Sequence, residues 1–145
     1  QRRRTARRRS DDEETARRHV KLRMQRQRAL FARRPAPRLV FVLGENVLAR
    51  PVGGETVMEE QRKHLWDVAA SGAAEIRILP FSVGAHAAMA GAFRILDFDD
   101  PDDPDTVYLE SHVGALYLEE PHEVDEYRRI FQLVHDAAVP LDEHR

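Results

Sequence analysis

The feature that most limits how this chain can fold is a reversal of charge near residue 38. Residues 1–38 hold 15 Lys and Arg against 4 Asp and Glu, a balance of +11, whereas residues 39–145 hold 8 against 21, a balance of −13. A strongly basic stretch with few large apolar side chains cannot bury a core of its own, so the core must come from the acidic remainder. The expectation is a basic arm beside an acidic body. With 42% hydrophobic and 33% charged residues in 145, that body suffices for one core of ordinary size.

Within the arm, residues 1–10 read as a basic segment, disordered or truncated. Ser10 and Glu13 have capping-box spacing, and Asp11 to Glu14 suit a helix N-terminus. A basic helix and linker is therefore expected over 11–37, the helix running to about Arg34 and ended by Pro35 and Pro37. Ala16, Val20, Met24, Leu30 and Phe31 form its narrow apolar stripe. Its Arg forks match phosphate oxygens, or balance the chain's own acidic body or an acidic partner. A first residue of Gln where an initiator Met would stand is expected of a fragment, or of a reading frame begun too late. Loss of a preceding domain would bare the stripe and favour a homodimer.

The body reads as an α+β domain over 38–139 with a tail at 140–145. Arg38 to Leu43 is a compact apolar run, expected as a buried strand, and Glu45 to Ala49 a single helical turn. A helix over Glu55 to about Ala70 places Met58, Leu65, Val68 and Ala69 on one face, with Val57 and Trp66 beside it. Four pairs then alternate as strands do: Ile76 and Ile78, Phe93 and Ile95, Val107 and Leu109, Leu116 and Leu118. Pro121 suits the first position of a last helix, striped by Val124, Tyr127, Ile130 or Phe131, and Val134. The expected class is α+β: a mixed, largely antiparallel sheet of about five strands with packed helices and a basic N-terminal helix. A crossover joins the first two strands if they are parallel.

The chain has no cysteine, which rules out disulfides, thiolate metal sites and cysteine nucleophiles and suits a reducing cytoplasm. No apolar run approaches the roughly 20 residues that span a bilayer, so no membrane role is expected. His122-Glu123 opens like a metalloprotease helix, but position 126 is Glu where the second ligand is required. Asp99 to Asp105 offers hard oxygens without the Gly and distal Glu of a calcium loop. Gly53-Gly54 before a helix would expose main-chain N–H groups to an anion, or simply turn the chain. His86 or His112 with Glu110 are the residues a hydrolase would use, yet no Gly-x-Ser-x-Gly elbow accompanies them. No catalytic residue, cofactor or metal is assigned.

The connector Pro80-Phe81-Ser82-Val83-Gly84-Ala85-His86-Ala87-Ala88-Met89-Ala90-Gly91 is more unusual. It joins two strands with small and apolar residues, and only His86 can carry charge. An apolar loop must be buried against the protein's own core, or against a partner or ligand. Phe81, Gly84, His86, Met89 and the adjoining Phe93 are accordingly candidate binding residues.

Five segments occur in order: Val20-Lys21-Leu22-Arg23-Met24-Gln25-Arg26-Gln27, Leu48-Ala49-Arg50-Pro51-Val52-Gly53-Gly54, Ile78 to His86, Val107-Tyr108-Leu109-Glu110 and Leu116-Tyr117-Leu118-Glu119. Together they resemble the C-terminal domain of unknown function of actinobacterial Xre-type (Scr/WhiJ-like) helix-turn-helix regulators, over roughly 11–139. Ala87 and Ala92 depart from it, standing where such domains often carry Pro. The resemblance implies a cytoplasmic, antitoxin-like regulator that reads DNA through an N-terminal domain and binds a small protein encoded nearby. It draws attention to Arg50, Pro51, Gly53 and Gly54 in the turn, to Phe81, Gly84 and His86 in the connector, and to Glu110 at a strand end. The expected function is thus a regulatory and partner-binding domain of a transcriptional regulator. A small-molecule sensor, with the connector as a lid, and a hydrolase are the alternatives.

Overall fold

A computed structural model describes residues 2–144, and the side chains of 13–144. The chain divides into two compact units, residues 1–39 and residues 40–145. The first contains one helix, α1 (Arg2–Phe31). The spacing of Ser10 and Glu13 therefore falls inside a helix and does not open one. Ala16, Val20, Met24 and Phe31 are exposed and Leu30 half-buried, so most of the apolar stripe faces solvent.

The second unit runs β1 (Val40–Gly44), α2 (Glu45–Ala49), α3 (Glu55–Ala70), β2 (Glu75–Leu79), β3 (Phe93–Leu96), β4 (Thr106–Ser111), β5 (Gly114–Leu118), α4 (Pro121–Ala137) and β6 (Val139–Pro140). The expected single sheet of about five strands is two sheets of three, β1-β2-β6 and β3-β4-β5. Alternation in a sequence marks strands but not the edges they share, and the long connector after β2 releases β3 to start a separate meander. The first sheet is mixed, with β1 parallel to β2 from Val40↔Glu75 to Gly44↔Leu79 and β6 antiparallel to β2. The second is antiparallel throughout.

Each departure has a local cause. Among the described residues only one neighbour pairs with β1, so it is an edge strand with Phe41 exposed, where a buried strand was expected. Pro140 and Leu141, from the segment set apart above as a tail, contribute to the mixed sheet and its core. Ile78 pairs with Val139, the Leu141 N–H donates to the Ile76 carbonyl at 3.0 Å, and Leu141 is buried. A proline in β6 is tolerated because that strand also lies at an edge.

The helices follow their stripes. Met58 is buried on α3, with Leu65, Val68 and Ala69 half-buried beside it. On α4, which starts with Pro121, Val124 and Val134 are buried and Tyr127, Ile130 and Phe131 half-buried. That helix packs against β2 of one sheet and against β3 and β4 of the other. Ile78 and Val107, one from each sheet, are completely buried. Arg128 adds a polar clamp, donating from α4 to Asp97 at 2.6 Å, to Asp105 and to Asp125. Asp105 also accepts the Phe98 N–H, which pins the loop before β4.

Candidate protein-binding surface and an adjoining cleft

Parallel pairing of β1 and β2 brings their carboxyl ends side by side, the place where an open sheet leaves room for a site. Glu45 directly follows β1 and opens α2, and Pro80-Phe81 directly follows β2. The Phe81 N–H donates to Oε2 of Glu45 at 2.6 Å, fastening the start of the connector to the other strand end. Nε2 of His144 stands 4.0 Å from the second oxygen of the same carboxylate.

The connector itself is two-faced. Residues Phe81–Val83 form one 3-10 turn, closed by the Gly84 N–H donating to the Phe81 carbonyl at 3.0 Å. Gly84 has φ +68°, a conformation that costs a side-chain-bearing residue. Val83 and Ala88 point inward, against a cluster of Leu79, Val134 and Ala138. Phe81 and Met89 point outward and are 62% and 67% exposed. His86 is half-buried, and its Nδ1 is buried with no hydrogen-bond partner. Core packing thus accounts for part of the apolar character of this segment and leaves two large side chains facing solvent.

Arg50, Pro51, Gly53 and Gly54 lie apart from the connector, in the exposed turn between α2 and α3. The Gly54 N–H donates to the Pro51 carbonyl at 3.2 Å, and the Gly54 carbonyl accepts from Met58 at 3.1 Å. Gly53 and Gly54 both have positive φ, so their structural work is to turn the chain into α3. Arg62 holds the turn from behind, donating to the Leu48 carbonyl at 3.3 Å and to Glu55.

Phe93 and Glu110 meet at a third place, a cleft of about 450 Å³ that also draws on Ala92, Arg94, Tyr108, Ser111 and His112. Arg94 stacks over the Tyr108 ring with its guanidinium carbon 5.1 Å from the centroid, and Tyr108 meets Tyr117 edge-on at 5.2 Å. Phe93 contacts Tyr127 of α4 edge-on at 5.0 Å. Glu110 and His112 share this cleft, but His86 is not among its lining residues. The Ser111 hydroxyl donates to the Gly114 carbonyl at 3.0 Å and accepts the Val113 N–H, which gives it a role in the hairpin turn.

Sequence reasoning missed Glu45, the inward pair Val83 and Ala88, and the Arg94–Tyr108 stack. Glu45 alone had a readable signal, an acidic residue immediately after an apolar strand. Among the described residues, no three His, Asp or Glu side chains are grouped as a metal ion would require. Nor is any described helix long and apolar enough to cross a membrane.

A family model described as a domain of unknown function, DUF5753, matches residues 2–145. No curated protein and no solved structure matches the chain.

Proposed function

Because the chain belongs to the DUF5753 family, we propose that it is the regulatory, partner-binding domain of a cytoplasmic helix-turn-helix transcription regulator. On this reading a separate domain reads DNA, this one captures a small protein encoded nearby, and no bond-making chemistry belongs to it. The observation that supports it is the pair Phe81 and Met89, two large apolar side chains held out from an anchored connector. Burial of two such side chains in an interface contributes roughly 2 kcal/mol each, enough to dominate a small contact.

The test uses the purified chain and the product of the small reading frame beside its gene, with binding followed by calorimetry. Replacing Phe81 and Met89 together by Asp is expected to abolish binding while the circular-dichroism spectrum and thermal midpoint stay as they were. Undiminished binding by the folded double variant would remove the proposal.

One observation favours a second reading, a small-molecule sensor. The cleft beside Phe93 is large enough for a ligand and combines aromatic walls with Arg94, Glu110 and His112. It predicts ligand-dependent thermal stabilisation without any protein partner, lost on Tyr108→Ala.

A further inference from the structure

We infer that the outer edge of β5 is a self-complementary interface, through which two copies of this chain pair antiparallel about a two-fold axis at Leu116. This surface is separate from the connector, and the inference does not depend on the partner-binding reading.

The first ground is the edge itself. Only β4 pairs with β5, so among the described residues the opposite edge carries no strand. Exposed edges are ordinarily blunted by a charge, a proline or a bulge. Gly114-Ala115-Leu116-Tyr117-Leu118 contains none of these: it has no charged residue and no proline, and its pairing with β4 is continuous. Leu116 is 53% and Tyr117 60% exposed. At the other edge of the same sheet, β3 carries Arg94.

The second ground is the direction of the main-chain groups. His112-Val113 is a two-residue loop closed by Ser111↔Gly114. The closing pair of such a hairpin exchanges both main-chain hydrogen bonds, and bonded pairs then alternate along the strands. Gly114, Leu116 and Leu118 therefore bond to β4, while the N–H and C=O of Ala115 and Tyr117 point away from it. Water can satisfy four such groups, and their spacing is also a ready template for another extended strand.

The third ground selects the second copy as that strand. With Leu116 on the two-fold axis, Ala115 of one copy falls opposite Tyr117 of the other, and the reverse holds at the other end. All four outward groups are then matched in two bonded pairs. The same register sets the smallest side chains of the strand against the largest: Ala115 faces Tyr117, and Gly114 faces Leu118. The two Leu116 side chains meet in a non-bonded pair, the closer kind, with Cα atoms about 4.5 Å apart. The ladder of Arg94, Tyr108 and Tyr117 thereby continues across the axis onto Ala115 of the other copy, making one six-stranded sheet.

Charge supplies the discriminating test. Pairing through β5 rests on main-chain hydrogen bonds and apolar side chains, and the full chain carries a net charge of only −2, so added salt should not loosen it. Association of the +11 arm with an acidic body would weaken with salt instead. Sedimentation velocity on the full chain, over concentration and salt, is expected to show a reversible dimer that added salt does not loosen. Leu116→Lys sets two ammonium groups against each other, and Ala115→Pro removes an outward N–H while leaving the bonds to β4 in place. Each is expected to raise the dimer Kd at least about tenfold, whereas Phe81→Asp with Met89→Asp leaves it unchanged.

The absence of native cysteine allows a direct check of register. Under mild oxidation Leu116→Cys is expected to cross-link two copies, and Val113→Cys, at the exposed hairpin tip, is not. A chain that stays monomeric through about 1 mM, a dimer that loosens with salt, a dimer indifferent to Ala115→Pro, or equal cross-linking at 113 and 116 would each overturn the inference.

Discussion

Glu45 and Phe81 lie 36 positions apart, yet the carboxylate of one accepts the main-chain N–H of the other at 2.6 Å. The bond fixes where the Phe81 ring leaves the surface, since it holds the residue that follows β2 to the residue that follows β1. Glu45→Ala is expected to accelerate amide exchange at Phe81 by up to about tenfold, a loss on the order of 1 kcal/mol or less at this exposed site. Glu45→Gln keeps an acceptor oxygen and should recover most of the protection. Exchange followed by NMR at that single amide checks both.

Arg128 joins α4 to Asp97 and Asp105, and the effect depends on pH. The Phe98 N–H, and then Arg128, hold the Asp105 carboxyl below its ordinary value of 3.8. The same carboxylates, Asp97 first, push the Arg128 guanidinium up. Folding therefore favours the ionised form of Asp105. That contribution is complete above the ordinary value and fades as pH falls through the lowered one. Arg128→Met is expected to lower the thermal midpoint near neutrality, and the gap to the unmodified chain should close under acid. Thermal melts across a pH series give the comparison.

Ile78 has no exposed surface in the centre of the mixed sheet. Ile78→Ala removes three buried carbons and should cost about 3 kcal/mol. Val113, at 99% exposure, offers the contrast, and Val113→Ala should remain within about 0.5 kcal/mol of the parent. Urea denaturation of the two variants measures the difference.

Gly53 and Gly54 predict a graded response in the turn before α3. At Gly53, φ is +80° and an added Cβ would stand 3.1 Å from a Val57 methyl, whereas at Gly54, φ is +96° with open space around it. Both alanine variants suffer from backbone conformation, by about 1 kcal/mol each. Gly53→Ala should suffer more, because Val57 must also move. Their thermal midpoints are expected to fall in that order.

The parts of this fold that could be read in advance were those with local causes. Pro121 marked the start of α4 and Ser71-Gly72 the end of α3, where the Ser71 hydroxyl returns to the Val68 carbonyl at 2.8 Å. Alternation located β2 through β5. What could not be read was pairing, because a strand's apolar rhythm is the same whichever neighbour it joins. Hence two sheets appear where one was expected, and β6 escaped notice, being two residues long with one of them proline. The binding candidates divide in the same manner. Composition singled out the connector, but the directions of its side chains depend on local bonds. The 3-10 turn and the tether to Glu45 set Phe81 outward and Val83 inward. The turns closed by the Met89 and Gly91 N–H groups on the His86 and Ala88 carbonyls hold Ala88 inward and Met89 outward.

The placement of α4 has one more consequence. Val134 and Ala138, at its carboxyl end, close over Leu79 of the mixed sheet, while Tyr127, nearer the start, holds Phe93 of the meander. A single rod of secondary structure thus serves as the lid of both halves, and neither can melt without stripping the cover from the other. Calorimetry should record one heat-absorption peak for residues 40–145, and an enthalpy from its shape equal to that from its area.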